Sequence, residues 1–374
     1  MESGRSVEQI IREIVPRLTG DEDQDEDVFY EMGNLYGDHP GFDIACARLA
    51  GEYAGIVATR IALRQRRGSG KGEKRSRPKF PRADGYVSPP SPESDCREMK
   101  YELKHIGLFY ARNNFDEALW IAEDLIYRIE KLEMPIRESA NIESRYYNEP
   151  FEEILDARLS LMDDEIQITD RPIPRVFFLC GSILNHLKQF DEAKAVFKRG
   201  LDYNPVDFNL MSEYIAAVRR TSDLEKFKEQ IERAFRIAFR ARDIARCYRY
   251  LGSYYAEKKK YRAAIVCHAL GMRYEKSPEG EAELSAIASG VGAEITPPDD
   301  REVARQVERF DIPAVPNRIA IALAAAFARY HHRRNQPAEE KYFRNILENE
   351  LDKDKASSEF IRQTISEISK EEPV

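Results

Sequence analysis

"HLKQFDEAKAVFKRGLDYNP", residues 186–205, is the stretch that decides the fold. A polar turn at Lys188-Gln189 leads into Phe190, Ala193, Phe197 and Gly200. Apolar and small residues three and four apart mark one face of an amphipathic helix. Before the turn, Phe177, Cys180, Gly181 and Leu184 keep the same spacing, so the stretch reads as the back half of a helical hairpin. Pro205 is expected to end the second helix, because proline has no N–H to continue the ladder.

The same pattern returns once, 71 residues later, as Tyr248, Leu251, Gly252, Tyr255, Tyr261, Ala264, His268 and Gly271. Gly181 and Gly252 let two helices approach where a side chain would hold them apart. Ala193 and Ala264 do the same from the second helix, and Phe190 and Tyr261 fill the corner of the turn. Two copies 71 residues apart leave room for one degenerate unit, supplied by residues 208–244. Upstream, "HIGLFYARNNFDEALWIAEDLI" (105–126) carries the same turn, with Phe115 and Ala118. Downstream, residues 319–347 have a similar hairpin shape with Ala338, and a weaker pair lies at 279–290 and 299–309.

These residues resemble the tetratricopeptide repeat (TPR) family, whose pattern is W-x2-L-G-x2-Y, then A-x3-F, then P, over 34 residues. The best-matching repeats are 174–207 and 245–278, within an array spanning 99–350. The resemblance implies an all-α, right-handed superhelical solenoid of antiparallel helix hairpins. It also implies a concave groove, lined by the first helix of each hairpin, that takes peptides or partner helices. Arg246, Arg249 and Ser253 share the side of their helix away from the Leu251/Gly252 packing. Arg242 is one turn earlier, and Arg219 and Arg220 end the first helix of the preceding unit. Arginine suits bidentate recognition of carboxylates. The expected function is therefore a protein–protein interaction scaffold or adaptor holding an acidic segment. The same arginines also have Glu225, Glu229, Glu232 and Asp243 as internal partners. Phe178, Ser182 and Asn185 in one repeat, and Arg249, Ser253 and Ala256 in the other, depart from the Lys/Asn carboxylate clamp of some TPR proteins.

Composition narrows the class. The 374 residues are 42% hydrophobic and 33% charged, with net charge −8. The mean hydropathy is −0.59. No run approaches the roughly 18 apolar residues of a membrane span, and no secretory signal opens the chain. The five cysteines are scattered and form no CxxC pair, as expected of reduced thiols in the cytoplasm. Acidic balance argues against general nucleic-acid binding by the whole chain.

Residues 1–63 read as an N-terminal helical segment. Within it, Phe42, Cys46, Leu49, Tyr53, Ile56, Arg60 and Leu63 alternate four and three apart. Ala50, Gly51, Ala54 and Gly55 permit close packing. This stretch reads as a capping helix, with self-association as the alternative, because Arg60 breaks the seam. Residues 64–98 read as a linker: "RQRRGSGKGEKRSRPKFPR" carries nine basic residues against one Glu, and "VSPPSPES" follows. Its basic half is the alternative contact for RNA, and would favour a nuclear location in a eukaryotic host. Residues 136–172 are less periodic, and 351–374 read as a charged helix and tail.

No catalytic chemistry is visible. Gly68-Ser69-Gly70-Lys71-Gly72-Glu73 lacks the phosphate-loop spacing, with Glu73 in place of a hydroxyl. His331-His332 and Cys267-His268 are adjacent pairs whose side chains diverge on a helix. His268 occupies a position the family fills with a core aromatic. The expectation is a protein that is not an enzyme, with no metal and no cofactor.

Overall fold

A computed structural model describes residues 92–140, 142–159, 165–221, 224–291, 298–314, 317–353 and 355–371. The N-terminal helical segment expected at 1–63 and the basic stretch 64–82 lie outside the described residues. The described residues are predominantly helical and divide into two compact units, 92–221 and 224–371.

The first unit contains α1 (Pro92–Ala111), α2 (Phe115–Ala140), α3 (Pro150–Leu159), α4 (Ile173–His186), α5 (Phe190–Leu201) and α6 (Phe208–Thr221). The second contains α7 (Leu224–Ile237), α8 (Ala241–Glu257), α9 (Tyr261–Tyr274), α10 (Pro278–Val291), α11 (Asp300–Phe310), α12 (Arg318–Arg333) and α13 (Pro337–Asn345). A π-helical turn (Ile346–Leu351) and α14 (Lys355–Ile368) complete it. The two helices expected within 208–244 are present as α6 and α7, one in each unit.

Four hairpins share one turn. α1/α2, α4/α5, α8/α9 and α12/α13 are joined through Asn113, Lys188, Lys259 and Asn335, all in the left-handed region at φ 53–65°. In each, the next residue's N–H reaches back five residues: Asn114 to Phe109, Gln189 to Leu184, Lys260 to Tyr255 and Gln336 to His331. Each left-handed residue bonds the carbonyl three before it. This is the Schellman closure, which satisfies carbonyls orphaned at a helix end.

The shared turn fixes the register. Seven residues before the left-handed position stand Ile106, Gly181, Gly252 and Ala328, and nine after it Ala122, Phe197, His268 and Arg344. Where the first position is glycine, the second is a ring. A Cβ on Gly181 would lie 2.4 Å from the Phe197 ring, and one on Gly252 would lie 2.7 Å from the His268 ring. In the first hairpin the sizes are reversed, with Ile106 and Ala122 both fully buried. Five after the turn stand Ala118, Ala193, Ala264 and Glu340; the three alanines are fully buried. The fourth hairpin was expected to place Ala338 there. Ala338 is exposed and two residues out of register, and Glu340 instead bonds His332 and Arg344.

Two further expectations are corrected, and one element is added to the helical architecture. Helix α5 ends at Leu201, so Pro205 sits in the following turn and does not terminate it. Helix α1 begins at Pro92, inside the stretch read as linker to residue 98. Proline is favoured at a first helical position because its missing N–H would be unpaired there. The all-α reading omits a two-stranded parallel sheet, β1 (Ile142–Arg145) with β2 (Glu165–Ile168), crossed over by α3, with Ile142 opposite Glu165. Four-residue strands are too short to show period-two alternation.

In the second unit, one buried side chain joins distant elements. Asn317 Nδ2 donates to the carbonyls of Arg236 (2.9 Å) and Ala238 (2.7 Å) at the end of α7. Its Oδ1 accepts from Ala320 N–H at 2.9 Å, capping α12. Two hydroxyls on α8 hold the segment that ends α11: Tyr255 donates to the Phe310 carbonyl (2.7 Å) and Tyr248 to that of Pro313 (2.5 Å).

Candidate functional site

The residues expected to form one basic stripe divide between the units. Arg219 and Arg220 end α6 in the first unit and are exposed. The Arg220 guanidinium lies over the Phe190 ring at 4.9 Å. Arg242, Arg246, Arg249 and Ser253 lie along α8 in the second unit, and the helix carries them from solvent into the core. The Arg242 side chain is 59% exposed, that of Arg249 is 15% exposed, and Ser253 is buried at 8%. Arg249 is covered by the segment leading into α10, 3.7 Å from Glu275 and 3.4 Å from Ser277 Oγ. Ser253 and Arg249 are therefore packing residues, not open groove contacts. An alignment that ends at His268 does not show that α10 follows closely enough to cover them.

The cationic end of α8 is denser than that ridge. Arg233 and Arg236 are exposed on α7, Arg240 precedes the first residue of α8, and Arg242 and Arg246 follow. Three of these, Arg242, Arg240 and Arg246, act on the buried carboxyl of Asp243 and pull its pKa down. Burial outweighs them and pushes it up to about 6. Of the carboxylates offered as internal partners for arginine, Asp243 lies 3.4 Å from Arg242, while Glu225 pairs with Lys258 (2.7 Å) and Glu232 with Lys228 (2.8 Å). The α8 N-terminus receives a carboxylate from far along the chain, Glu350 accepting from Ala241 N–H at 2.8 Å.

Two buried titratable groups accompany these elements. His268, beneath Gly252, is 2% exposed, and burial followed by the nearby Arg249 charge lowers its pKa to about 4. Neither ring nitrogen has a hydrogen bond, and Nδ1 lies 3.9 Å from Glu283. In the first unit, Glu152 on α3 accepts from Asn148 N–H (2.7 Å) and Asn204 Nδ2 (2.9 Å). Asn148 Nδ2 also donates to Asp207, 3.1 Å away. Burial, only partly opposed by these donors, raises Glu152 to about 7. Arg145 on β1 bonds the Asp202 carbonyl at 2.6 Å and pairs with Glu143. Together these contacts tie the strand–helix–strand insert to the loop between α5 and α6.

No protein-family model matches the chain, and no curated protein matches it. Among the described residues, no group of three or more His, Cys, Asp or Glu side chains has a geometry that could hold a metal ion. No described helix is long and apolar enough to cross a membrane.

The sequence reading missed the most conspicuous surface of the first unit. The exposed large hydrophobic side chains among the described residues are Tyr101, Leu108, Trp120 and Tyr127, all on α1 and α2. The signal was present: Trp120 follows the buried Ala118 by two positions, which turns it to the opposite face of the helix.

Proposed function

We propose that this chain is a protein–protein interaction scaffold, a TPR-like array whose hairpins stack in a right-handed superhelix, with no chemistry of its own. The repeated Schellman turn and the glycine-against-ring pairing at Gly181/Phe197 and Gly252/His268 support the stacked arrangement. The proposed ligand is an acidic segment of a protein partner, held at the arginine-rich end of α8. One observation carries this reading: Arg240, Arg242 and Arg246 cluster in sequence about the buried Asp243, and all three charges act on its carboxyl, Arg242 from 3.4 Å. Positive charge clustered on a chain of net charge −8 is positioned to steer and hold an anionic partner. Cys180, Cys247 and Cys267 are buried free thiols, which fits a proposed cytoplasmic location.

The test uses the full chain, a fluorescent Glu-rich peptide, a Lys-rich control and a single-stranded RNA oligonucleotide, read by anisotropy across a salt series. Arg236→Glu with Arg242→Glu reverses two exposed charges without touching the buried Arg249. The expected result is binding of the acidic peptide alone, weakened at least tenfold in the variant. Equal binding of both peptides, or no change on reversal, overturns the reading. Tight, steeply salt-dependent RNA binding replaces it with a nucleic-acid function.

A further inference from the structure

The outer face of the first hairpin carries an apolar surface. Tyr101 and Leu108 are seven residues apart on α1, and Trp120 and Tyr127 are seven apart on α2, all four exposed. Each pair forms a row along one side of its helix. Leu108 and Trp120 stand five and seven residues from the turn at Asn113, and Tyr101 and Tyr127 stand twelve and fourteen from it. In an antiparallel hairpin these pairs sit at matching heights. The buried residues, Met99 and Ile106 on α1 and Ala118, Ala122 and Leu125 on α2, lie on the opposite faces, and both helices pack on α4. The two rows therefore share the hairpin's outer side. Exposed aromatic side chains grouped in this way mark an interaction surface. The charges beside the rows are segregated by sign. From residue 99 onward, the exposed charges on the α1 side are Lys100, Lys104 and Arg112, all positive. Glu102 is half-buried and accepts from Arg128 of α2. Around Trp120 the exposed charges are Asp116, Glu117, Glu123 and Asp124, all negative. Arg128 answers Asp124 at 3.0 Å, and Lys131 lies farther along, 5.9 Å from the Tyr127 ring.

We propose that this face joins two copies of the chain in a symmetric dimer, with α1 of each laid antiparallel on α2 of the other. Charge selects both the partner and the arrangement. A two-fold interface presents the same patch on both sides, so the patch must complement itself. An axis in the contact plane, parallel to the helices, exchanges α1 for α2 and preserves height. It sets Leu108 on Trp120 of the other copy, and Tyr101 on Tyr127. Lys104, nine residues before Asn113, then meets Glu123, ten residues after it. Arg112, one residue before Asn113, meets Asp116 and Glu117, three and four after it. An axis across the helices would instead lay α1 on α1 and α2 on α2, like charge against like. The area is sufficient. Two helices side by side, each about 10 Å across, over the roughly 30 Å length of the 20-residue α1 present about 600 Å² per copy. The pair buries about 1,200 Å², where specific interfaces begin. An interface at that lower bound dissociates in the micromolar range.

Trp120 is the only tryptophan in the chain, so native fluorescence reads this surface directly. The experiment follows mass by light scattering, with Trp120 emission and acrylamide quenching, across a dilution series of the full chain. The same series is run on Leu108→Asp, on Lys104→Glu with Arg112→Glu, on Glu117→Lys with Glu123→Lys, and on an equimolar mixture of the two charge reversals. Far-UV circular dichroism checks that each is folded. The expected wild type has one chain mass when dilute and two when concentrated. Along the same curve Trp120 shifts to the blue and becomes several-fold less quenchable. Leu108→Asp and each reversal alone stay at one chain mass. Mixing the reversals restores two, because the reversed α1 of one copy then meets the reversed α2 of the other. A wild type that keeps one chain mass at every concentration overturns the proposal, whether Trp120 is open or shielded. So does doubling that leaves Trp120 unchanged, doubling that survives either reversal, or a mixture that fails to restore it. The readout does not involve the arginines of α8, so it stands or falls apart from acidic-peptide binding.

Discussion

Replacing Gly181 with alanine isolates the close approach that builds the central hairpin of the first unit. The change adds one methyl group in mid-helix. At an unconstrained helical site that substitution stabilises by about 1 kcal/mol, because alanine loses less backbone freedom. Here the new Cβ meets Phe197 Cε1 at 2.4 Å, Cζ at 2.6 Å and Cδ1 at 2.7 Å. Carbon atoms rest about 3.5–4.0 Å apart, so the ring must retreat by about an ångström. Phe197 is fully buried and has no open space to retreat into. Overpacking of this kind costs about 1–3 kcal/mol, and more when backbone must shift. The helix gain offsets only part of it, leaving a net loss of about 1–2 kcal/mol. Gly107 supplies the control, since a Cβ there meets nothing within 4 Å. Gly107→Ala should gain about 0.5–1 kcal/mol. Urea unfolding followed by Trp120 fluorescence reports on the unit that holds both glycines, and midpoints compare directly if the slope is unchanged. Phe197→Leu completes a double-mutant cycle: with the ring gone, Gly181→Ala should cost less by about 1 kcal/mol or more. If Gly181→Ala proves as stabilising as Gly107→Ala, the reasoning from the glycine-against-ring contact is wrong.

Glu152 makes the first unit sensitive to pH. Its folded pKa of about 7 lies above the ordinary value of 4.5, so its contribution is complete below about pH 4.5 and is lost as pH rises through 7. A shift of that size corresponds to roughly 3 kcal/mol. Glu152→Gln should flatten this slope between pH 5 and about 7.5; a variant whose urea midpoint follows pH as the wild type does would show that Glu152 is not the source. His268 acts in the opposite sense in the second unit. Its folded pKa of about 4 lies below the usual 6.5, so stability is full above about pH 6.5 and falls as pH drops toward 4. His268→Phe removes two buried ring nitrogens without hydrogen bonds. It should raise the midpoint at pH 5 more than at pH 7.5, and an equal effect at both values would contradict neutral burial. Asn317→Ala strips the donor from two carbonyls and the cap from α12. Thermal unfolding should show a loss of about 3 kcal/mol, and a loss below about 1 kcal/mol would mean water replaces the side chain without penalty.

Much of the helical architecture was legible because it rests on local chemistry. "NNFDEA" and "KQFDEA" spell the same turn, and the glycine and alanine spacing around them fixed the contacts of α4 with α5 and of α8 with α9. The fourth hairpin was found but misregistered, because Ala338 looked like the small residue and Glu340 did not. The insert of β1, α3 and β2 was illegible, since its strands are four residues long and its buried polar cluster draws on Asn148, Asn204 and Asp207 from separate loops. The arginine face was half legible. Helical spacing put Arg242, Arg246 and Arg249 on one helix, but the covering of Arg249 and Ser253 depends on what α10 does next, which no single-helix pattern encodes.

The Asn317 contacts bear on how the two units form during synthesis. In the first unit, Arg199 reaches back 69 residues to Glu130. In the second, the end of α7 waits for Asn317, about 80 residues on, and the start of α8 waits for Glu350, 109 residues on. Contacts distant in sequence slow folding because the loop must close before they form. An emerging chain therefore completes the first unit well before the second. While the second unit is still being made, α7 and α8 remain without the partners that terminate one and cap the other, and this interval is when its apolar faces are open to misassembly or to a chaperone.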